Sequence, residues 1–367
     1  MGVDPCPDAC CRDEVDAFEV VGGQDFEGTC GLVGKYGIGA IVTAATDKPL
    51  VMMARVAEKY GFPFYSVNTA VCSTDKFLMK ECFEKGGVPH ARGRLVASAD
   101  DAGGLNFPLI VKPRDNSGSR GVVLCGSRPE LESSIAGALF FSRLDTVLVE
   151  EFIEGPEYSI ESVHYGGRTE VIQFTEKQTT AYPYNVELAH RQPAGLSDEM
   201  KDMIRKIVSR TAVAMGFEDC PSHTELKING HGVFVIETSP RLGGDCITSD
   251  LVPLSTGINI EDLQLDLALG IAPALPPRRD SFSAVRFFDF PEGTVKDVLI
   301  SADEVLSWKG VRAFDFSLSP GKRVPPVRSS LDRYGSFIVS ASSRGELDEM
   351  LESYYDRIRK SVIIDMV

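Results

Sequence analysis

His223-Thr224-Glu225-Leu226-Lys227-Ile228-Asn229-Gly230-His231-Gly232-Val233-Phe234-Val235-Ile236-Glu237-Thr238-Ser239-Pro240-Arg241 reads as a β-hairpin carrying two acids and an arginine. Asn229-Gly230-His231-Gly232 is a strong turn signal. β-Formers flank it: Leu226 and Ile228 before, Val233 to Ile236 after. With a loop centred near His231, Glu225 and Glu237 lie opposite each other. The two-residue strand period then brings Ser239 and Arg241 to their face. Like charges facing each other across strands destabilise a sheet, so a cation between them accounts for the pair. Hard oxygen donors without a Cys or neutral-His cluster suit Mg²⁺ or Mn²⁺ rather than zinc. The competing reading is a solvated hairpin face.

Outward from the hairpin, 367 residues are too many for one simple core and predict two or three domains. A net charge of −15 argues against nucleic acid or an anionic membrane as the main partner. No apolar run reaches the length of a membrane span and no signal peptide opens the chain, so a cytoplasmic enzyme is expected. Nine scattered cysteines fit reduced thiols better than a disulfide framework. Cys6, Cys10 and Cys11 cluster without an obvious fourth ligand, which argues against a zinc site.

Gly39 to Thr43 reads as a short buried strand, followed by a helix from Asp47 to Tyr60 stopped by Gly61-Phe62-Pro63. Met1 to Pro5 resembles the end of a strand, and a first β-α unit is expected to be missing. Ser73-Thr74-Asp75 caps a helix through Lys85. Strands are expected at Phe107–Pro113, Val122–Leu124 and Thr146–Phe152, with a helix at Pro129–Phe141 between the last two. Alternation continues from Tyr158 to Phe174, and Ser197 caps an amphipathic helix to Met215. A helix from Ile260 to Leu269 follows the hairpin. Beyond the boundary at 272–277, strands are expected at 285–290, 313–318 and 337–341, then a helix at 346–360.

Two further segments carry chemistry. Lys112 ends a strand and precedes a Gly/Ser loop, Ser117-Gly118-Ser119-Arg120-Gly121, whose small residues can turn N–H groups onto phosphate oxygens. The loop lacks the Gly-Lys-Ser/Thr of a Walker motif, and a plain hairpin turn is the alternative. Glu150-Glu151-Phe152-Ile153 ends another strand, whose backbone groups can pair with an adenine edge. Glu157 follows, placed to accept from ribose hydroxyls. A surface acidic turn is the alternative there.

Taken in order and spacing, these segments resemble the ATP-grasp superfamily over roughly residues 40 to 280. The resemblance implies a mixed α/β, α+β ATP-grasp fold with an N-terminal α/β unit (1–72), an ATP-grasp core (73–280, ATP lobe 107–155) and a C-terminal α+β cap (281–367). It implies an ATP-dependent carboxylate–amine ligase working through an acylphosphate, with ATP and Mg²⁺ or Mn²⁺ as cofactors. Lys76, Lys112, Ser117, Gly118, Ser119 and Gly121 would hold the phosphates. Glu150, Glu151 and Ile153 would meet adenine, and Glu157 the ribose. Glu225, Glu237 and Ser239 would hold metal; Ser239 stands where the family commonly has Asn. Arg241 would stabilise the acylphosphate. Arg241-Leu242-Gly243-Gly244-Asp245 and Tyr182 to Arg191 resemble the branch of amino-acid ligases and carbamoyl-phosphate-synthase-like proteins. There His190, Arg191, Gly243 and Gly244 would touch substrate. Small carboxylate and amine partners and a homodimer are expected. A biotin-carboxylase-like or purine-type ligase and a nucleotide-binding relic are the alternatives. His223 admits a supporting role beside the metal acids or a plain core role. Asp332 and Arg333 read as a turn pair without chemistry.

Overall fold

The computed structural model describes residues 1–116, 118 and 120–366. Its largest element is an eight-stranded sheet that begins with the hairpin. In spatial order the strands are Gly232–Ser239, Cys220–Asn229, Glu157–Tyr165, Arg168–Thr179, Glu187–Gln192, Phe282–Phe287, Gly335–Ala341 and Val311–Phe316. Every neighbouring pair is antiparallel. Alternation splits each strand between two surroundings. Ile160, Phe174, Leu226 and Val235 pack with Ile204, Val208 and Met215 of helix Asp198–Met215 and with Phe83. Ser197 caps that helix by accepting from Met200 N, and Gly216, in the left-handed region at φ 71°, ends it. The strands' opposite positions carry Glu157, Lys177, His190, His223 and Glu225, which line a cavity.

A second sheet, ordered Gly93–Val96, Val147–Glu151, Leu109–Pro113, Val123–Cys125, packs under helix Arg128–Phe141. Leu131, Ile135 and Ala138 of the helix meet Leu109, Val111, Val147 and Val149 in a core of their own. This lobe stands over the cavity from the side opposite the hairpin sheet. Strands Phe282–Phe287, Gly335–Ala341 and Val311–Phe316 of the C-terminal part continue the large sheet. A separate three-stranded sheet, Arg323–Val324, Gly293–Val298, Val362–Met366, shares a core with helix Arg344–Lys360.

The N-terminal part departs most from the sequence reading. Gly2–Asp4 is a strand, and it pairs in parallel with Phe18–Val20, ahead of helix Phe26–Tyr36. The predicted strand at 39–43 pairs with none of the described strands. Its Ile41 packs against a small helical core and its Thr43 carbonyl accepts from Gln264 Nε2. The next helix starts at Leu50, so Asp47 lies outside it. Ser73 and Thr74 belong to an unforeseen helix, Val67–Thr74. Asp75 alone caps Lys76–Lys85, accepting from Phe77 N and Leu78 N. All nine cysteines are free thiols. Among the described residues no helix is long and apolar enough to cross a membrane.

Candidate active site

A two-residue turn, Gly230-His231, closes the hairpin, whose register runs Asn229 to Gly232 and Leu226 to Val235. Continued unbroken, that register would set Glu225 opposite Ile236. A bulge intervenes, and Glu225 faces Glu237 while His223 faces Ser239. The expected pairing is present, reached by a shorter turn plus a bulge instead of a loop centred on His231. The carbonyl of the bulged Ile236 accepts from Lys80 Nζ at 2.6 Å. Lys80 comes from helix Lys76–Lys85, is 7% exposed, and lies 3.1 Å from Glu150. Glu150 is in turn 2.7 Å from Lys112. Burial pulls the Lys80 ammonium down to about 8, with Glu150 opposing. Burial would raise the Glu150 carboxyl, but Lys112 and Lys80 hold it near 2.

The floor of the cavity is a cluster of charges. Lys177, on strand Arg168–Thr179, puts Nζ 2.8 Å from Glu157, 3.4 Å from Glu187 and 2.9 Å from Glu225. Burial disfavours its charge, yet Glu157, Glu225 and Glu187 overcome that and raise its pKa well above the lysine value. His223 joins the cluster from below: Nδ1 is 2.7 Å from Glu161 and Nε2 is 3.3 Å from Glu225. Burial opposes its protonation, but Glu161 and Glu225 raise it to about 9. Lys177 and His223 together outweigh burial at Glu225, whose pKa falls well below the carboxylate range. Glu157, Glu187 and Glu225 each bring an oxygen within 4.8 Å of the others. With Glu237 nearby across the hairpin, the donors are all carboxylate oxygens, a set that fits Mg²⁺ or Mn²⁺.

Arg241 leaves the hairpin toward the N-terminal part. Its Nε and Nη2 donate to Asp47 at 2.8 and 2.9 Å, and Ser239 Oγ donates to the same carboxylate at 2.6 Å. Burial would raise the Asp47 pKa, but the Arg241 charge holds it low. Ser239 is thus committed to Asp47 and does not line the cavity, which corrects its reading as a metal ligand. The wall beyond Arg241 holds Gly244, Asp245 and His190. His190 faces inward, so the strand period sends Arg191 the other way. Arg191 contacts Asp348 at 3.1 Å and Glu352 at 3.4 Å on helix Arg344–Lys360, which removes it from the substrate candidates. Gly243 also stays off the cavity. A Cβ there would collide with His223 Nδ1 and Glu161 Oε2, so glycine lets the Glu161–His223 pair close.

The cavity, of about 490 Å³, runs between the two sheets. Of the expected ATP residues, Lys76, Lys112, Gly118, Glu150, Glu151, Ile153 and Glu157 line it. Lys76 Nζ is 3.0 Å from Glu237 and donates to the Asn116 carbonyl at 3.0 Å. Ser117 and Ser119 lie outside the described residues. Gly121 does not line the cavity. It sits at φ 77° against Pro113 and Phe141, so it serves the turn and not a ligand directly. At the far end Phe152 N donates to the Pro108 carbonyl. Pro108 has no N–H to return, which leaves the Phe152 carbonyl unpaired from that side. Ile110, Val122, Phe152 and Ile153 give this end apolar walls. The Glu151 carboxylate instead turns to Arg92 and Asn106. Glu157 is drawn to Lys177 and to Asn185 Nδ2.

Sequence reading missed Asp47, Lys80, Lys177, Glu187 and Asp245. Asp47 was absorbed into a helix start, and Lys177 and Glu187 are ordinary exposed-looking charges until strand register places them together. Arg333 was paired with Asp332, but Asp332 caps Arg328 N and Ser329 N, and Arg333 makes a two-pronged contact with Asp245 at 2.8 Å on each arm.

A family model described as an ATP-grasp domain matches residues 105–249, and one described as L-amino acid ligase C-terminal domain 2 matches residues 286–362. An uncharacterised protein of Sinorhizobium fredii, y4rH, is 25% identical over 329 residues, covering 88% of this chain and 68% of that protein. Alanine–anticapsin ligase of Bacillus amyloliquefaciens is 26% identical over 270 residues, which are 64% of this chain and 55% of the ligase, so the chain spans about half of that relative. The crystal structure of L-amino acid ligase from Bacillus licheniformis superposes with a TM-score of 0.77 at 23% identity, over 93% of this chain and 84% of that one, a likeness of fold. Two sheets closing on a lysine-lined cavity, paired hairpin acids and both family models agree: residues 105–249 are an ATP-grasp domain, and residues 286–362 are a C-terminal domain of the L-amino acid ligase kind.

Proposed function

We propose that this protein joins a small carboxylate to an amine at the expense of ATP, through an acylphosphate, releasing ADP and phosphate. The observation that carries the reading is Glu225 opposite Glu237 beside Arg241, in one cavity with Lys76 and Lys112. The Phe152 carbonyl, to which Pro108 can return no N–H, and the apolar end around Ile110 suit an adenine. Lys76, Lys112 and Lys177 would neutralise the phosphates, where charge develops during phosphoryl transfer. Glu225 and Glu237, with Glu157 or Glu187, would hold Mg²⁺, which supplies charge neutralisation between phosphates when bound. A substrate carboxylate oxygen attacks the γ-phosphorus, and the bridging P–O bond breaks with its electron pair leaving on ADP. The amine nitrogen, as its free base, then attacks the acyl carbon, the C–O bond breaks with its pair leaving on phosphate, and the proton lost from nitrogen ends on that phosphate. Arg241, once exchanged from Asp47, would face the oxyanion formed on that carbon. The two steps need a cavity that excludes water, and the lobe over the hairpin sheet would supply the cover.

Amino acids are the first substrate class to test, since the relatives' names point there for those proteins. ADP release is measured with amino-acid pairs, single amino acids and bicarbonate. Turnover with amino-acid pairs is expected; turnover with bicarbonate alone would replace this reading by the biotin-carboxylase-like one, and nucleotide binding without any turnover by the relic. Glu237→Gln is expected to abolish turnover while metal-free ATP binding survives. Normal turnover in that variant would sink the metal role.

A further inference from the structure

The cavity is lined by charges of both signs. Arg241, paired with Asp47, and Lys48 are its cations nearest the N-terminal part, suited to a carboxylate. The wall beyond Arg241 carries Glu187, 3.4 Å from Lys177, and Asp245, with His190 between strands at 1% exposure. His190 Nε2 faces Asp245 at 3.5 Å, and its Nδ1 has no hydrogen-bond partner among the described residues. A buried imidazole with one nitrogen unpartnered beside a cavity marks a place for a polar ligand.

This acidic wall is built from the C-terminal part. Ser329 and Asp332 close a short turn, and Arg333 leaves it inward. Its guanidinium grips both oxygens of Asp245, donates to the Glu187 carbonyl at 3.2 Å and lies 3.8 Å over the Phe287 ring. Phe287 in turn packs edge-on against His190. Ser330 Oγ is 3.3 Å from Glu187 Oε2. Asp245 sits in the left-handed region at φ 53°, followed by Cys246 at φ 62°, a conformation that surroundings must hold. A fork-to-fork arginine contact does so, and it uses one lone pair per oxygen. The remaining acceptor capacity is left for a ligand.

We propose that Arg333 is a positioning residue for the amine substrate: through Asp245 and the Phe287–His190 contact, it fixes the acidic wall on which an ammonium-bearing acceptor docks. The inference rests on the ligase reading above. It assigns the carboxylate to the Arg241 side and the acceptor, an amino acid or other cationic amine, to the Asp245 side.

The test separates the two half-reactions. Hydroxylamine, small and uncharged at neutral pH, traps an acylphosphate as a hydroxamate without needing an ammonium site. The full-length protein is assayed with ATP, Mg²⁺ and each proteinogenic L-amino acid as carboxylate. Hydroxamate is read in the presence of hydroxylamine, and amide formation with a second amino acid in its place. Arg333→Met is expected to keep hydroxamate formation within about twofold, and to lower amide formation at least tenfold through a raised KM for the amine. Arg333→Lys, which keeps the charge without the fork, and Asp245→Asn should show the same split, so the result does not depend on one variant folding. Equal losses in both assays, or an unchanged KM for the amine, overturn the assignment. A wild-type protein that forms neither product refutes the ligase reading and takes this inference down with it.

Discussion

Lys177→Met removes the one ammonium on which Glu157, Glu187 and Glu225 converge. Methionine keeps much of the stem's packing, so the change is mainly one of charge. Three carboxylates with oxygens within 4.8 Å of each other then retain the His223 contact to Glu225 as partial compensation. Stripping one partner from a buried ion pair costs roughly 3–5 kcal/mol. The Lys177 side chain is 2% exposed but the carboxylates are 12–19% exposed and can relax toward the cavity, which favours the lower end, about 3 kcal/mol. At ~2.1 cal/mol/K per residue, a chain of this length has an unfolding entropy of roughly 0.8 kcal/mol/K, so a cooperative Tm should fall by about 4 °C. The same three acids, relieved of the lysine, become a better site for Mg²⁺ alone. A ligand at a hundred times its Kd returns about 2.7 kcal/mol, close to the whole loss. Scanning calorimetry across a Mg²⁺ titration, with a chelated baseline and no nucleotide, measures both effects. A variant Tm within a degree of wild type would refute the buried-charge argument. A Mg²⁺-induced shift no larger in the variant than in wild type would refute the competition between Lys177 and metal.

Lys80→Met removes the donor to the bulged Ile236 carbonyl and one cation beside Glu150. The Mg²⁺ concentration for half-maximal turnover should rise several-fold, because the bulge sets Glu237 opposite Glu225. An unchanged metal requirement would show that the bulge holds without Lys80. His164, buried between Thr169 and Ser222, is pushed by burial down to about 4 from 6.5. The unfolded chain therefore takes up the proton first as pH falls. Stability from this group is complete above 6.5 and drops by about 3 kcal/mol by pH 4, at ~1.36 kcal/mol per unit. Denaturant unfolding of His164→Gln between those pH values should show a shallower fall, and parallel curves would refute it.

Where a signal was local, the sequence was enough. Ser197 and Gly216 bound a helix whose apolar face follows its period, and Asn229 to Gly232 turns a hairpin. The acids at 225 and 237 were legible because like charges at matched strand positions demand a cation. What was not legible depended on partners far along the chain. Gly39 to Thr43 has strand composition, but its Ile41 meets helices, its Thr43 carbonyl meets Gln264 and the next carbonyl, that of Ala44, meets Leu242 N, so no ladder forms. Arg191 and His190 are adjacent in sequence, and only the sheet's orientation decides that the histidine faces the cavity. Lys177 is one more charged residue on an alternating strand until three glutamates from other strands close around it.

The bulge shows why such contacts matter more for geometry than for stability. Asp47 on Arg241, Lys80 on Ile236 and Glu150, Lys76 on Glu237, and Lys177 on its three acids all take charges out of water, and buried pairs of this kind are weak evidence of net stabilisation. They leave Lys76, Lys80, Lys112, Lys177 and Arg241 already paired with a carboxylate. In the proposed reaction the same groups would change partners: Lys76, Lys177 and Arg241 toward phosphate and acyl oxygens, Glu225 and Glu237 toward a divalent ion. Such an exchange replaces one set of ion pairs by another, so the desolvation is already met before substrate arrives and little is added on binding. A cavity lined by unpaired lysines would attract polyphosphate more strongly, but it would also hold ADP and phosphate after turnover. Carboxylates that compete for these lysines would favour release of product as well as capture of substrate, which would tie the buried acids to turnover rather than to the fold.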